Sequence, residues 1–545
     1  MLSFRKRMGY LLQVAALQTE HILAILLLCA LPLHAANTYY ISSSTGSDSN
    51  TSAQAQSKST PWAHLPGMAS CIGNCGSYTP QAGDTFVLMG CDVWVNSDLP
   101  VLWNWSGSSG SLITIGGEDQ TWYNTTNCPS AWNRPIFDAQ KSATSGNVLF
   151  SPCASNGCSY VTLDSIEMKG FYLGTSGNGE YIANVGYGNT NWSYTNLYIH
   201  GWNVIIDNGG NCVIFGSNYG GSSNILYQYN IVDGSDRTGM GSPGNTTGGT
   251  CDTWYTSQQG AKMLSNVVHD VVNGWLPTTG SEFGGNLVYN VLTTNYVNHC
   301  NAIETLGGGT YYIHDNVIHN ENGGCAGGET MMIGNGSETD YVWNNVIYNL
   351  TNSTGTMAPP IAPQGPSSGN SIYMWNNTIV VPVGQTNACL AWSGQGSGTI
   401  FSTINMQNNH CITSGSYALD PSLANYTTTT VNNTNLVQTP KQADADSSPH
   451  FDEYTSSETY AYSPVASTNS TVGAGTNLAS SWVSGFSTND TSYGCTYDSS
   501  VQTVSCPARA ANTRPQSAPW DIGAYEFNAQ DPPPNPPTGL TATVN

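Results

Sequence analysis

Basic side chains are scarce in this sequence. Twelve Lys and Arg stand against 34 Asp and Glu in 545 residues, a formal charge of −22, and only 8% of residues carry any charge. About 25% is usual for a soluble domain. Three of the twelve, Arg5, Lys6 and Arg7, lie at the extreme N-terminus, so that 9 basic and 33 acidic residues remain beyond residue 36. Nucleic acid is held by clustered Lys and Arg that release phosphate counterions, and an anionic lipid surface repels an acidic protein. Both partner classes are excluded. Long apolar runs are missing too: residues 22–33 run without a charge, but that is short of the ~20 residues a membrane span needs. What is present is 39% hydrophobic and 10% aromatic residues, enough for a large core. With 59 Gly and 27 Pro, the chain reads as many turns and few long helices.

The N-terminus has the layout of a secretory signal. A basic stretch at residues 5–7 and the apolar run at 22–33 are followed by the small-residue cleavage point His34-Ala35-Ala36. The mature chain is expected to start near Asn37, outside the cytoplasm, either secreted or at the cell surface or in the periplasm. Without Cys29 the cysteines number 14 and fall into neighbouring couples. These are Cys71/Cys75, Cys91/Cys128, Cys153/Cys158, Cys212/Cys251, Cys300/Cys325, Cys389/Cys411 and Cys495/Cys506. An oxidising compartment and the absence of zinc spacing favour local disulfide staples, although the sequence does not fix their connectivity.

The middle of the chain repeats itself. Two β-branched or aliphatic residues, one variable residue and a turn residue recur, as in Ile199-His200-Gly201, Val232-Asp233-Gly234 and Val268-His269-Asp270. From Asn266 onward the copies sharpen, for example to Asn316-Val317-Ile318-His319-Asn320 and Asn345-Val346-Ile347-Tyr348-Asn349. Each unit holds a short strand and a turn and lacks a helical period. A short strand cannot bury its apolar face alone, whereas stacked copies bury Val/Ile ladders between them. Asn at a corner tolerates left-handed backbone and can bond to the next coil. The expected fold is all-β, a parallel β-solenoid.

The repeats and their flanks resemble the secreted bacterial right-handed parallel β-helix proteins of the pectate-lyase-like superfamily. The typical entry is similar to Thr38-Tyr39-Tyr40-Ile41-Ser42 and Ala82-Gly83-Asp84-Thr85, and the typical end to Trp520-Asp521-Ile522-Gly523-Ala524-Tyr525-Glu526. The resemblance covers about residues 38–527 and implies a right-handed parallel β-helix with an N-terminal cap and a C-terminal closing segment. The expected organisation is a signal peptide (1–36), cap and first coils (37–140), β-helix repeats (141–430), C-terminal coils and cap (431–527) and a proline-rich tail (528–545). This superfamily contains lyases, hydrolases and proteins without a known reaction, so the fold does not choose the chemistry.

A uronate lyase needs a base beside a charge neutraliser, often Ca²⁺. Arg237 and Lys262 occupy consecutive coils with Asp233, Asp236 and Asp252 nearby in sequence, which would make a cationic base beside a Ca²⁺ site. The structural alternative is that Arg237 simply pairs with Asp236 or with a carboxylate of the next coil. His299 and Glu304 fall outside the repeat register and form a second acid/base pair, with Glu321 further along. Their alternative is a loop histidine beside a Cys300–Cys325 staple and a solvated Glu. Trp254, Trp275 and Tyr296 are candidates to stack on sugar rings. His200, His269 and His319 share one repeat position and read as a stacked ladder rather than a triad. The Asn-Thr-Asp, Gly-His-Gly and Arg-Ile-Lys motifs of polygalacturonases are absent, which excludes that enzyme. The leading expectation is a monomeric protein acting on an extracellular polysaccharide as a lyase, Ca²⁺-assisted or not. The alternative is non-catalytic glycan binding or adhesion, and a third reading is a hydrolase using Glu282, Glu304 and Glu321.

Overall fold

The computed structural model describes residues 36–141, 150–153, 157–173, 180–184, 188–204, 212–217, 221–239, 251–256, 259–271, 273–277, 279–291, 301–320, 330–334, 337–348, 350, 359–363, 369–381, 388–391, 401–446 and 462–528. One turn of the chain shows the construction. Lys262–Leu264, Val267–His269 and Asn273–Pro277 are three short strands separated by corners, and Glu282–Gly284 then begins the next turn. It lies in parallel register on the strand before it, Lys262 opposite Glu282. Repeated along the chain, these strands build three parallel sheets, here sheets 1, 2 and 3, of 13, 12 and 9 strands among the described residues. The molecule is a parallel β-helix, and right-handed crossovers are the rule for strands joined in this way.

The repeat motif accounts for the packing. Its central aliphatic residue points inward, so that Ile199, Val232, Val268, Val288, Ile318 and Ile347 stack in one buried column of sheet 2. The residue after the strand takes left-handed backbone: Asp270, Asn290 and Asn320 have φ of 56°, 52° and 52°. The asparagine before the strand is buried and turned to the neighbouring coils. Asn230, Asn266, Asn286, Asn316, Asn345, Asn377, Asn409 and Asn435 form a continuous ladder of amide-to-amide bonds of 2.9–3.0 Å. On the outer face of sheet 2, His269, Tyr289, His319 and Tyr348 stack ring on ring at 4.7, 5.3 and 5.1 Å. The ladder reading of the repeated histidines therefore describes His269 and His319.

Five of the seven cysteine couples are disulfides: Cys71–Cys75, Cys91–Cys128, Cys153–Cys158, Cys389–Cys411 and Cys495–Cys506. The side chains of the other two couples, residues 1–35 and residues 529–545 lie outside the described residues. The N-terminal entry is the first coil, with Thr38–Ile41 paired to Thr85–Leu88. At the far end the last coil is polar. Thr430 and Asn432 continue the inward columns of Ile404 and Met406 but are exposed, which lets the core end against water.

The C-terminal segment packs along the side of the coils. After the last coil, residues 462–528 run back along the outside of the helix. The Thr476 amide donates to Asn408 Oδ1 at 2.8 Å and the Ala524 amide to Thr378 Oγ1 at 3.0 Å. The Gly494 amide reaches Asp315 O at 3.0 Å, and Gln502 O accepts from Arg134 at 3.4 Å. The cause is apolar outer surface on the middle coils: Val267, Leu287, Val317 and Val346 are covered by Tyr493, Cys495, Tyr497 and Tyr525. Trp343 and Trp375 on sheet 1 are covered by Leu478, Val483 and Trp520. The segment is locked by the buried Arg514, which binds Glu526 at 2.8 Å. No helix of the described residues is long and apolar enough to cross a membrane.

Candidate functional site: a groove on sheet 1

On the outer face of sheet 1, one column runs Leu226, Lys262, Glu282, Tyr312, Tyr341, Tyr373 and Asn405, each in register with the next. Every member lies four residues before an asparagine of the ladder, so the column follows from the repeat itself. The C-terminal segment forms a wall beside it. Lys262, Glu282 and Tyr312, with Gly260, Gly280 and Thr310 on one side and Phe486 and Ser487 on the other, line a groove of about 540 Å³. Tyr312 and Tyr341 stack at 5.8 Å, and Tyr341 and Tyr373 at 4.8 Å, near-parallel. The ring faces cover one another, and the three tyrosines are half-buried.

The polar end of the column is a chain of alternating charges. Lys262 Nζ is 2.7 Å from Glu282 Oε2, Glu282 Oε1 is 3.4 Å from His314 Nε2, and His314 Nδ1 is 2.8 Å from Asp315 Oδ2. The His314 ring lies flat on Trp343 at 4.5 Å. Burial alone would raise Glu282, but hydrogen bonds from His314 and Lys262 outweigh it and hold the carboxyl group below its ordinary range. Burial would likewise lower His314, yet Asp315 and Glu282 push it up to about 9. The charge chain thus favours the ionised form of Glu282.

Among the described residues, those singled out in the sequence do not meet at one place. Lys262 is on sheet 1, its side chain 54% exposed. Arg237 is buried, 5% exposed, in the corner that follows sheet 2, where desolvation lowers its guanidinium to about 10 and Asp270 is its charged neighbour. Arg237 and Lys262 are therefore not a base and neutraliser acting together: coils adjacent in sequence place them at different angles around the helix. Glu304 is buried in the strand Ile303–Glu304 of sheet 3. Trp275 corrects the expectation of a sugar platform. It is 0% exposed and stacks on Phe283 inside the core, because its strand position faces inward. His299, Tyr296 and Glu321, and the side chains of Asp252 and Trp254, lie outside the described residues.

Of the expected Ca²⁺ set, the two described members are engaged by other groups. Asp236 turns to His200 Nδ1 at 2.7 Å and to the Gly201 amide at 2.7 Å. Asp233 accepts from Tyr198 Oη at 3.2 Å and from the Ser235 amide at 2.8 Å. Among the described residues, the one group able to hold a metal is Asp233, His269 and Asp270, whose ligand atoms lie within 4.8 Å of one another. One nitrogen and two carboxylates do not fit Ca²⁺, which takes six to eight oxygens. Here His269 Nδ1 also lies 2.7 Å from Asp270 Oδ2, in an internal hydrogen bond.

No family model and no curated protein matches the chain. Among solved structures, it is similar to pectate lyase Pel9A at 13% identity and a TM-score of 0.43, covering 90% of this chain and 96% of that one. It is similar to a GH136 lacto-N-biosidase from Eubacterium ramulus at 10% identity and a TM-score of 0.42, covering 74% and 68%. A rhamnogalacturonan lyase aligns at 15% identity and a TM-score of 0.37, covering 73% and 87%. Fold and site together define a parallel β-helix protein with a lateral groove bordered by its own C-terminal segment.

Proposed function

We propose that this is an extracellular polysaccharide-binding protein that holds an extended glycan along the Lys262–Asn405 column of sheet 1. The observation that carries the reading is the in-register row of Tyr312, Tyr341 and Tyr373 beside the groove. One hydroxyl per coil repeats at the ~4.8 Å strand spacing, a step comparable with one sugar unit of an extended chain. Such a row matches a polymer that presents equivalent hydroxyl groups at each unit. The Lys262–Glu282 pair closes one end of the row and gives the bound chain a direction.

The test is titration of the intact protein against a panel of neutral and acidic polysaccharides, with products assayed in parallel. Tyr341→Phe keeps the ring stack and removes one hydrogen-bonding group, so binding is expected to weaken about fivefold, the worth of ~1 kcal/mol. Unchanged affinity in Tyr341→Phe, or no binding across the panel, refutes the groove. New unsaturated-uronate absorbance would replace the reading by a lyase, and new reducing ends without it by a hydrolase.

A further inference from the structure

Sheet 1 carries two acids on its inner face. In the strand Glu338–Trp343, Glu338 and Asp340 alternate with the outward Thr339 and Tyr341, so both carboxyl groups enter the interior, 2% and 0% exposed. In the adjoining coils the place of Asp340 is taken by Tyr311 on one side and by Ile372 and Ile404 on the other, all core residues. The Thr305 hydroxyl donates to Glu338 Oε1 at 2.8 Å. The groups that act on Asp340 are the Glu338 carboxyl group and the Gly334 backbone, yet among the described residues neither of its oxygens meets hydrogen-bond geometry with a partner. From the preceding coil, Tyr311 is the titratable neighbour, its hydroxyl donating to Gly307 O at 2.7 Å. From the following coil, Asn370 is engaged with backbone, accepting from the Glu338 amide at 3.2 Å and donating to Gly334 O at 2.6 Å. No Lys, Arg or His among the described residues enters the electrostatics of Asp340.

Two ionised carboxylates cannot stand side by side in such surroundings. Buried charge without a counter-cation is costly, and like charges at contact force one group to keep its proton. A proton held between the two acids removes one charge and supplies the donor that Asp340 lacks. We infer that Glu338 and Asp340 are a proton-holding pair that ties the stability of the central coils to pH, firm in acidic surroundings and weakened as pH rises. Burial first, and the Glu338 charge second, raise Asp340 well above the ordinary carboxylate range. A carboxyl group raised in the folded state contributes stability that is complete below its unfolded value, ~3.9. That contribution is lost as pH climbs from there through the raised value. Over that window each retained proton lowers the folding equilibrium about tenfold per pH unit.

The experiment is equilibrium unfolding of the full chain from pH 5 to pH 9, for wild type and for Asp340→Asn, which keeps the shape of the side chain. The expected result is a shallower fall of stability with rising pH in Asp340→Asn than in wild type. The infrared spectrum of wild type minus variant at pH 5, where an ordinary aspartate is ionised, should also show a protonated carboxyl band. Glu338→Gln, whose amide can donate to Asp340, serves as the second variant and should flatten the slope similarly. An unchanged slope in whichever variant folds, or a difference spectrum without the acid band, overturns the proposal.

Discussion

Replacing Asn316 by alanine removes four hydrogen bonds at one buried point of the ladder. Its Nδ2 donates to Phe283 O and to Asn345 Oδ1, each at 2.9 Å, and its Oδ1 accepts from the amide and from Nδ2 of Asn286, each at 2.9 Å. After the change, the Asn286 amide has no acceptor and no water to replace it, since both Asn286 and Asn316 are 0% exposed. A net ~1 kcal/mol per bond, with a further penalty for the orphaned N–H offset by local relaxation, gives a cost of about 3–4 kcal/mol. The terminal member, Asn435, is the internal control. It makes comparable bonds, to Met406 O at 2.7 Å and from Asn409 Nδ2 at 2.9 Å, but it is only partly buried, so water substitutes. Asn435→Ala should cost about 1 kcal/mol. Urea denaturation at fixed pH measures both. A loss below ~1 kcal/mol in Asn316→Ala, or equal losses in the two variants, would refute the view that buried amide pairing holds successive coils in register.

Trp275→Ala should destabilise the protein by about 3–5 kcal/mol while leaving glycan affinity unchanged, because the ring fills the core; denaturation and titration of the same variant check both halves. His200 and His314 are each pushed up to about 9 against the effect of burial, the first by Asp236 and Glu167 and the second by Asp315 and Glu282. Their stabilisation is complete below the ordinary histidine value of ~6.5 and lost as pH rises through about 9. Titration of the imidazole C–H signals by NMR should place both midpoints near 9, and midpoints near 6.5 would contradict the charge chains. Serine at both Cys495 and Cys506 opens a loop of 11 residues and should cost about 2–3 kcal/mol. Proteolysis should then cut within residues 496–505 before it cuts the coils.

Much of the scaffold was readable along the chain because a solenoid repeats one local solution. The period of the Asn-Val-Ile motif fixes which side chains point inward, where the backbone turns left-handed and which asparagines meet. The tyrosine column was present in the same register, four residues before each ladder asparagine, but it stood out less than the isolated His299 and Glu304. The sites fared differently. Arg237 and Lys262 are 25 positions apart and one coil apart, yet the angle around the helix axis separates them. Asp236 finds His200 of the preceding coil, at a distance no local pattern prescribes. The return of residues 462–528 along the outside was not legible either, although its motif was. The motif marks a chain end, whereas its place depends on which outer surfaces the coils leave apolar.

By itself, then, the sequence determined the stacking: an acidic, helix-poor chain whose short strands can bury their aliphatic faces only against copies of themselves. The tertiary structure decided which polar residues share a surface. Stacking is governed by contacts one coil away and is written in the repeat, whereas the groove depends on the C-terminal wall laid against Tyr312 and Trp343. The Glu338–Asp340 pair, by contrast, follows from the strand alternation that turns both acids inward. The groove joins residues across distances that the repeat does not encode.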